Sequence, residues 1–209
     1  MRRKGILITL EGNEGSGKST QIKLLGSYLK RKGYSVFVTR EPGGTRIGDG
    51  IRKVLLDNKN KKMTAECETL LYMASRAQLV EEVIKPKLKS GSIVLCDRWL
   101  DATVAYQGYG GGIEVSWIKA LGKWAVQGVK PTLTLFLELP LLVGLKRAKS
   151  HRAADRMERK TILFHKNVRR GYLKIMREEP GRFRSIAVGE RESVLDIHEK
   201  IKKAVLGVL

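Results

Sequence analysis

Near the N-terminus, the run Gly12-Asn13-Glu14-Gly15-Ser16-Gly17-Lys18-Ser19 fits the pattern G-x-x-x-x-G-K-[ST]. Such a loop cradles phosphate: successive backbone N–H groups and a helix N-terminus surround the anion, the lysine reaches the terminal phosphates, and the serine hydroxyl serves Mg²⁺. Residues Gly12 to Thr20 are therefore expected to bind a nucleotide. Glu14 is the odd member, a carboxylate placed beside an anion.

Other segments carry chemistry of the same kind. "CDRW" sets Asp97 and Arg98 at the end of an apolar run. A carboxylate there organises Mg²⁺, and an arginine beside it suits transfer between two anions. The plainer reading of Asp97 is a cap on the next helix. "TREPGGT" brings Arg40 to a tight turn that Pro42, Gly43 and Gly44 would explain by themselves. In "LLYMASR", Tyr72 and Arg76 lie one helical turn apart. Their spacing alone fits a core aromatic beside a solvated arginine; a stacked base with its edge held by a guanidinium is the sharper alternative. "RAKSHRAADRMERK", Arg147 to Lys160, has the cation density of a lid over triphosphate, or of a solvated basic face or a nucleic-acid contact.

Elements must hold these residues in place. Apolar, β-branched runs at Gly5–Glu11, Tyr34–Arg40, Ser92–Arg98 and Thr132–Leu139, with a weaker one at Arg182–Val188, are predicted strands. Helical patterns fill the intervals: Arg46–Asp57, Thr64–Lys89, Asp101–Gln107, Glu114–Val126, Leu141–Lys149, Asp155–Arg177 and Arg191–Leu206, with Lys18–Lys32 leaving the phosphate loop. Pro86 is expected to kink or end its helix. The stripe Leu70, Leu71, Ala74, Val80, Val83, Ile84 and Leu88 is the expected core face. Strands that alternate with helices predict an α/β fold, a parallel sheet covered on both faces. Ligands of such sheets bind beyond the strands' carboxyl ends, where the phosphate loop, "TREPGG" and "CDR" all fall.

The chain has 209 residues, enough for one domain with a substantial core, and no run approaches a membrane span. It is expected to be a cytoplasmic protein. Cys67 and Cys96 have no metal spacing and read as buried small hydrophobes. The net charge of +20 fits polyanionic partners, and Gly144 to Arg184 alone holds fourteen Lys/Arg against four Asp/Glu.

Taken in order, the motifs EGxEGSGKS, TREPGGT, LLYMASR, VLCDRW, AYQG, DRxE and FHxxVxxGY resemble those of bacterial thymidylate kinases, from "ITLEG" to about Ile175. The resemblance implies a P-loop NTPase-type five-stranded parallel sheet in a single kinase domain, residues 1–209, with a basic helical lid at about 147–160. It implies transfer of the γ-phosphoryl of ATP to dTMP, with Mg²⁺, by a homodimer. On matching positions, Lys18 and the loop amides hold ATP phosphates, Ser19 holds Mg²⁺, and Asp97 acts through the metal's water shell. Arg40, Arg98 and Arg52 hold the dTMP phosphate. Tyr72 stands where the family stacks an aromatic on thymine, Arg76 meets the base edge, Thr103 and Gln107 line the base, and Tyr106 fills the space of a 2′-OH. Glu14 accepts from the 3′-OH and so faces the acceptor.

Eukaryotic members carry an arginine at the position of Gly15, whereas bacterial ones supply it from the lid. Arg152 and Arg156 are the candidates, with Arg147 against adenine. Glu41–Pro42 is expected to be cis. Two other readings stand beside this one: a related nucleoside monophosphate kinase with altered base choice, and a nucleic-acid-binding P-loop ATPase, which the charge would suit.

Overall fold

The computed structural model describes residues 4–151 and 154–209. Five parallel strands form one sheet: β1 (Ile6–Glu11), β2 (Val36–Arg40), β3 (Ile93–Asp97), β4 (Leu133–Glu138) and β5 (Phe183–Ala187), in the spatial order β2-β3-β1-β4-β5. β1 lies at the centre, pairing Leu10 with Asp97 on one side and with Leu135 on the other. The chain builds outward from β1 first to one side and then to the other. This reversal opens a crevice beyond the carboxyl end of β1, where the phosphate loop begins.

Alternation along the strands divides the core between the two faces. Ile8, Leu10, Leu95, Leu135 and Leu137 pack with Leu25 and Leu29 of α1 (Lys18–Arg31) and Ile201 and Val205 of α9 (Val194–Leu206). Leu7, Val94, Cys96 and Phe136 point the other way. They face α3 (Ala65–Leu79), α6 (Val115–Val126) and α8 (Ile162–Glu178) with the segments joining them. Helix starts follow local chemistry: Thr45, Thr64, Thr161 and Ser193 each accept a backbone N–H three residues on, capping α2 (Arg46–Leu56), α3, α8 and α9.

The helical run ends at Lys89, with the turn that carries Pro86, as expected, but its path and several other expectations change. The chain widens into a π-helical turn at Val80–Ile84 and continues as α4 (Lys85–Lys89), so the backbone ladder loosens just ahead of the proline, which has no N–H to give. The expected stripe on α3 is rotated: Leu70 and Ala74 are exposed, and the inward face is Glu68, Thr69, Met73, Ser75, Arg76 and Leu79. Asp101–Gln107 is a short helix, α5 (Leu100–Thr103), running into a second π-helical segment at Val104–Gly110. Cys96 is buried, but Cys67 is exposed. The helix predicted from Asp155 begins only at Ile162. The Asp155 carboxylate accepts from the backbone of Met157 and Glu158, both at 3.0 Å, and closes a separate turn. The segment expected to form a lid is thus helical through α7 (Leu141–His151), and from Asp155 it is a turn.

Candidate active site

A cavity of about 640 Å³ opens along the ends of β1, β2 and β3 and is lined by nearly every residue the motifs singled out. At its floor, Gly12, Gly15 and Gly17 all take positive φ, which curls the loop tightly. Lys18 Nζ donates to the carbonyls of Gly12 at 3.0 Å and Asn13 at 2.8 Å, which holds it across the loop mouth. Burial, then the like charge of Arg98, outweighs the attraction of Glu14 and brings Lys18 down to about 8. Ser19 Oγ donates to Asp97 Oδ2 at 2.9 Å. A hydroxyl and a carboxylate so placed form a hard-oxygen pair suited to Mg²⁺ and its waters.

Gly15 has a second reason to be glycine. A Cβ there would lie 2.1 Å from the carbonyl oxygen of Gly144, on α7. Gly144 would in turn meet Glu14 O at 2.3 Å. At these two glycines the loop and α7 meet backbone to backbone, leaving no room for an arginine at position 15.

Glu14 is bonded to side chains that follow β3. Its Oε1 accepts from Arg98 Nη2 at 2.8 Å and from the Tyr106 hydroxyl at 2.7 Å. Burial pushes the Glu14 carboxyl up, but Arg98, Lys18 and Tyr106 together outweigh it and hold it at about 2. The Arg98 guanidinium lies 4.7 Å from the centre of the Tyr106 ring and bonds its hydroxyl at 3.0 Å. Arg98 adopts φ 72, a conformation that a side chain with a Cβ takes at some strain. Glu11 holds that turn: its Oε1 accepts from Trp99 N and its Oε2 from Tyr172 OH, each at 2.7 Å, while Arg98 Nη1 reaches Tyr172 OH at 3.3 Å. Burial, then Asp101, pushes the Glu11 carboxyl up to about 8.

Arg40 and Arg52 face one another across the β2 end. Arg52 Nη1 donates to Pro42 O at 2.9 Å, and its pKa is lowered by burial and by Arg40. Arg40 reaches Asp49 at 3.4 Å on the exposed side. Arg40 and Arg52 both line the cavity, and guanidiniums are suited to phosphate or carboxylate. Glu41–Pro42 is cis, as expected.

At the far end, Arg76 is only 1% exposed, with Nε on Glu41 Oε2 at 2.8 Å and Nη2 on Thr103 Oγ1 at 2.9 Å. It is not the solvated arginine of the plain reading. Tyr72, Thr103, Tyr106 and Gln107 line the same end, the last three delivered by α5 and the π-helical segment after it. The Tyr72 hydroxyl is pushed up by burial and by Glu68.

The lid candidates divide. Arg147 lines the cavity and donates to Glu190 O at 2.6 Å, beside the β5–α9 loop. Arg152 lies outside the described residues. Arg156 is buried, paired with Glu68, and its Nε donates to Leu55 O at 2.8 Å. It fastens the lid's root to α2 and α3 rather than standing free above the phosphates. Sequence reasoning missed Glu11, Glu41, Glu68, Gly144 and Tyr172; Glu11, Glu41 and Tyr172 sit inside quoted motifs, and that adjacency was the available signal.

Fold and site together define an α/β protein with a parallel sheet and, beyond the ends of β1, β2 and β3, one cavity lined by a glycine-rich loop, a lysine and several arginines. The family model described as thymidylate kinase matches residues 10–201. The thymidylate kinase of Geotalea daltonii is 50% identical, covering 98% of each chain, and that of Halothermothrix orenii 46%, covering 99% of each. A crystal structure of thymidylate kinase from Ehrlichia chaffeensis superposes with a TM-score of 0.77 at 31% identity, over 96% of this chain and 98% of that one. The chain belongs to the thymidylate kinase family. It is an enzyme, a kinase of the bacterial type.

Proposed function

We propose that this single domain transfers the γ-phosphoryl of ATP to dTMP, giving dTDP, in the cytoplasm. One observation carries the reading: Glu14, inside the phosphate loop, gives its Oε1 to Arg98 Nη2 and to the Tyr106 hydroxyl, two side chains of the expected acceptor end. A carboxylate there repels a donor phosphate but suits a sugar hydroxyl, so the loop serves donor and acceptor at once.

Phosphoryl transfer asks mainly for positioning and charge neutralisation. Lys18 and the amides of Gly12 to Thr20 hold the donor phosphates. Ser19 and Asp97 would hold Mg²⁺, which supplies further neutralisation of the phosphates. Arg40, Arg52 and Arg98 grip the acceptor phosphate, with the strained Arg98 turn fixing its approach. Tyr72 stacks on thymine, Arg76 donates to its edge, and Thr103 and Gln107 complete the base pocket. Tyr106, locked by its hydroxyl bonds, fills the space of a 2′-OH. Arg147 flanks adenine. Of the two candidates for the transferred group, Arg152 remains, since Arg156 is committed to Glu68.

We also infer a homodimer. Ile47 and Val54 on α2, Leu70 on α3, and Trp117 and Trp124 on α6 are all exposed, and α3 packs between the other two helices. Patches of this kind mark protein contacts.

The test is ATP-dependent nucleoside diphosphate formation by the purified chain, with dTMP, dUMP, dCMP and dGMP as acceptors. Turnover with dTMP far above the others is expected. No dTDP, or equal use of all acceptors, overturns the reading.

A further inference from the structure

One buried carboxylate stands directly behind the base end of the cavity. Glu68, on α3 and 6% exposed, accepts at Oε1 from the Gln107 side-chain nitrogen Nε2 at 2.8 Å and pairs through Oε2 with Arg156. Gln107 is itself 2% exposed and lines the cavity with Thr103 and Arg76.

A glutamine amide has two faces, an acceptor oxygen and a donor nitrogen, and a half-turn about its last bond exchanges them. The partner decides which way it points. Glu68, engaged by Arg156, offers only acceptor oxygens to Gln107, so one orientation satisfies both side chains. We propose that Glu68 is a specificity-determining positioning residue, which locks Gln107 with its carbonyl oxygen turned toward the base. This rests on the reading of Gln107 as a base-pocket residue.

The consequence follows from the bases themselves. Thymine presents an N3–H donor beside the O4 acceptor; cytosine presents an N3 acceptor beside an amino donor. A Gln107 carbonyl accepts from thymine N3–H and opposes the lone pair of cytosine N3. Arg76, which can only donate, matches O4 and is mismatched to the cytosine amino group. Arg76 is fixed in the same manner, by Glu41 at 2.8 Å. Two carboxylates behind the pocket thus set one donor and one acceptor in front of it. Freed from Glu68, the amide could turn and offer N–H to cytosine N3. Specificity of this kind works by leaving the wrong partner unpaired.

The experiment compares kcat/KM for dTMP, dUMP and dCMP in the full chain and in Glu68→Gln, Gln107→Ala and the double variant. An amide at position 68 can donate as well as accept, so it no longer dictates the orientation of Gln107. Glu68→Gln should lower the dTMP-over-dCMP ratio ~10-fold, about the worth of one hydrogen bond. The dTMP-over-dUMP ratio should hold, because uracil has the same edge. In the Gln107→Ala background, Glu68→Gln should change the dCMP ratio no further. An unchanged ratio in Glu68→Gln overturns the proposal, as does an equal change without Gln107, which would make Glu68 a scaffold residue acting through Arg156. If Gln107→Ala alone leaves the ratio intact, Gln107 does not read the base, and the proposal falls with that assignment. Absence of dTMP turnover in the unaltered chain would instead sink the kinase reading itself. Should Glu68→Gln not fold, Glu68→Asp carries the same cycle: it keeps the charge but withdraws by one carbon, and should lower the dCMP ratio only while Gln107 is present.

Discussion

Glu11 and Glu14 bracket the start of the phosphate loop in opposite electrostatic surroundings. Glu14 shares its oxygen between Arg98 and Tyr106 and is held at about 2, whereas Glu11, buried near Asp101, is pushed up to about 8. Glu14→Gln keeps the shape and removes the charge, leaving Arg98 without its counterion. A hydrogen bond to a charged group is worth about 1.5–3 kcal/mol, so KM for dTMP should rise ~10- to 100-fold while KM for ATP stays near its original value. Steady-state kinetics with each substrate varied decides this; a rise in the ATP term instead would turn the carboxylate to the donor. Glu11 makes a different prediction. Its folded pKa of about 8 lies above the ordinary 4.5, so the folded state holds the proton more tightly. Its contribution is full below 4.5 and is lost as the pH rises to about 8. Glu11→Gln can keep an acceptor for Trp99 N and cannot ionise. Its stability relative to the unaltered chain should therefore increase from pH 5 to 8, read as urea midpoints at each pH; a constant difference refutes the raised pKa. Lys18, Arg98 and Glu14 were legible in the sequence because phosphate chemistry needs them in contiguous motifs. Glu68 was not, since it is an ordinary residue until the fold brings it to Gln107, and Tyr172, though inside a quoted motif, gained its partner Glu11 only in the fold.

At the scale of elements, the strands were legible because burial on both faces leaves an unbroken apolar run, as in Ile93–Asp97. Helix geometry was less so. A π-helical turn has the same composition as an α-helical one, and only the structure shows that Val104–Gly110 widens as it delivers Tyr106 and Gln107. The segment after Asp155 misled for another reason: its polar side chain found local backbone N–H groups and closed a turn. That turn carries Arg156 onto Glu68 and Leu55 O. Removing one member of a buried ion pair destabilises by about 3–5 kcal/mol, because the other charge is left uncompensated. Arg156→Ala should thus lower the unfolding free energy by about that amount, measured by denaturant titration. A variant of unchanged stability with a collapsed kcat would return Arg156 to the phosphates as the lid's catalytic cation.

For the molecule as a whole, the +20 charge and the exposed apolar face make opposite demands on association. Net charge keeps like chains apart, but the repulsion between distant surface charges is screened beyond about 8 Å at physiological salt. Apolar contact is not weakened in that way. Leu70 is 48% exposed and Trp124 78%, on helices whose other faces enter the core. Leu70→Glu combined with Trp124→Glu would bury two carboxylates against apolar surface in a two-fold pair, and symmetry doubles each penalty. The unaltered chain should sediment as a dimer whose dissociation constant falls as salt screens the repulsion. The double variant should sediment as a monomer of unchanged helix content. α3 carries Tyr72 and Arg76 on its pocket side and Leu70 on the outer side, so loss of the partner should loosen the base end more than the phosphate loop. In steady-state assays the monomer should then show a raised KM for dTMP with little change for ATP. A monomeric unaltered chain at micromolar concentration would remove the dimer, leaving these apolar side chains as plain surface.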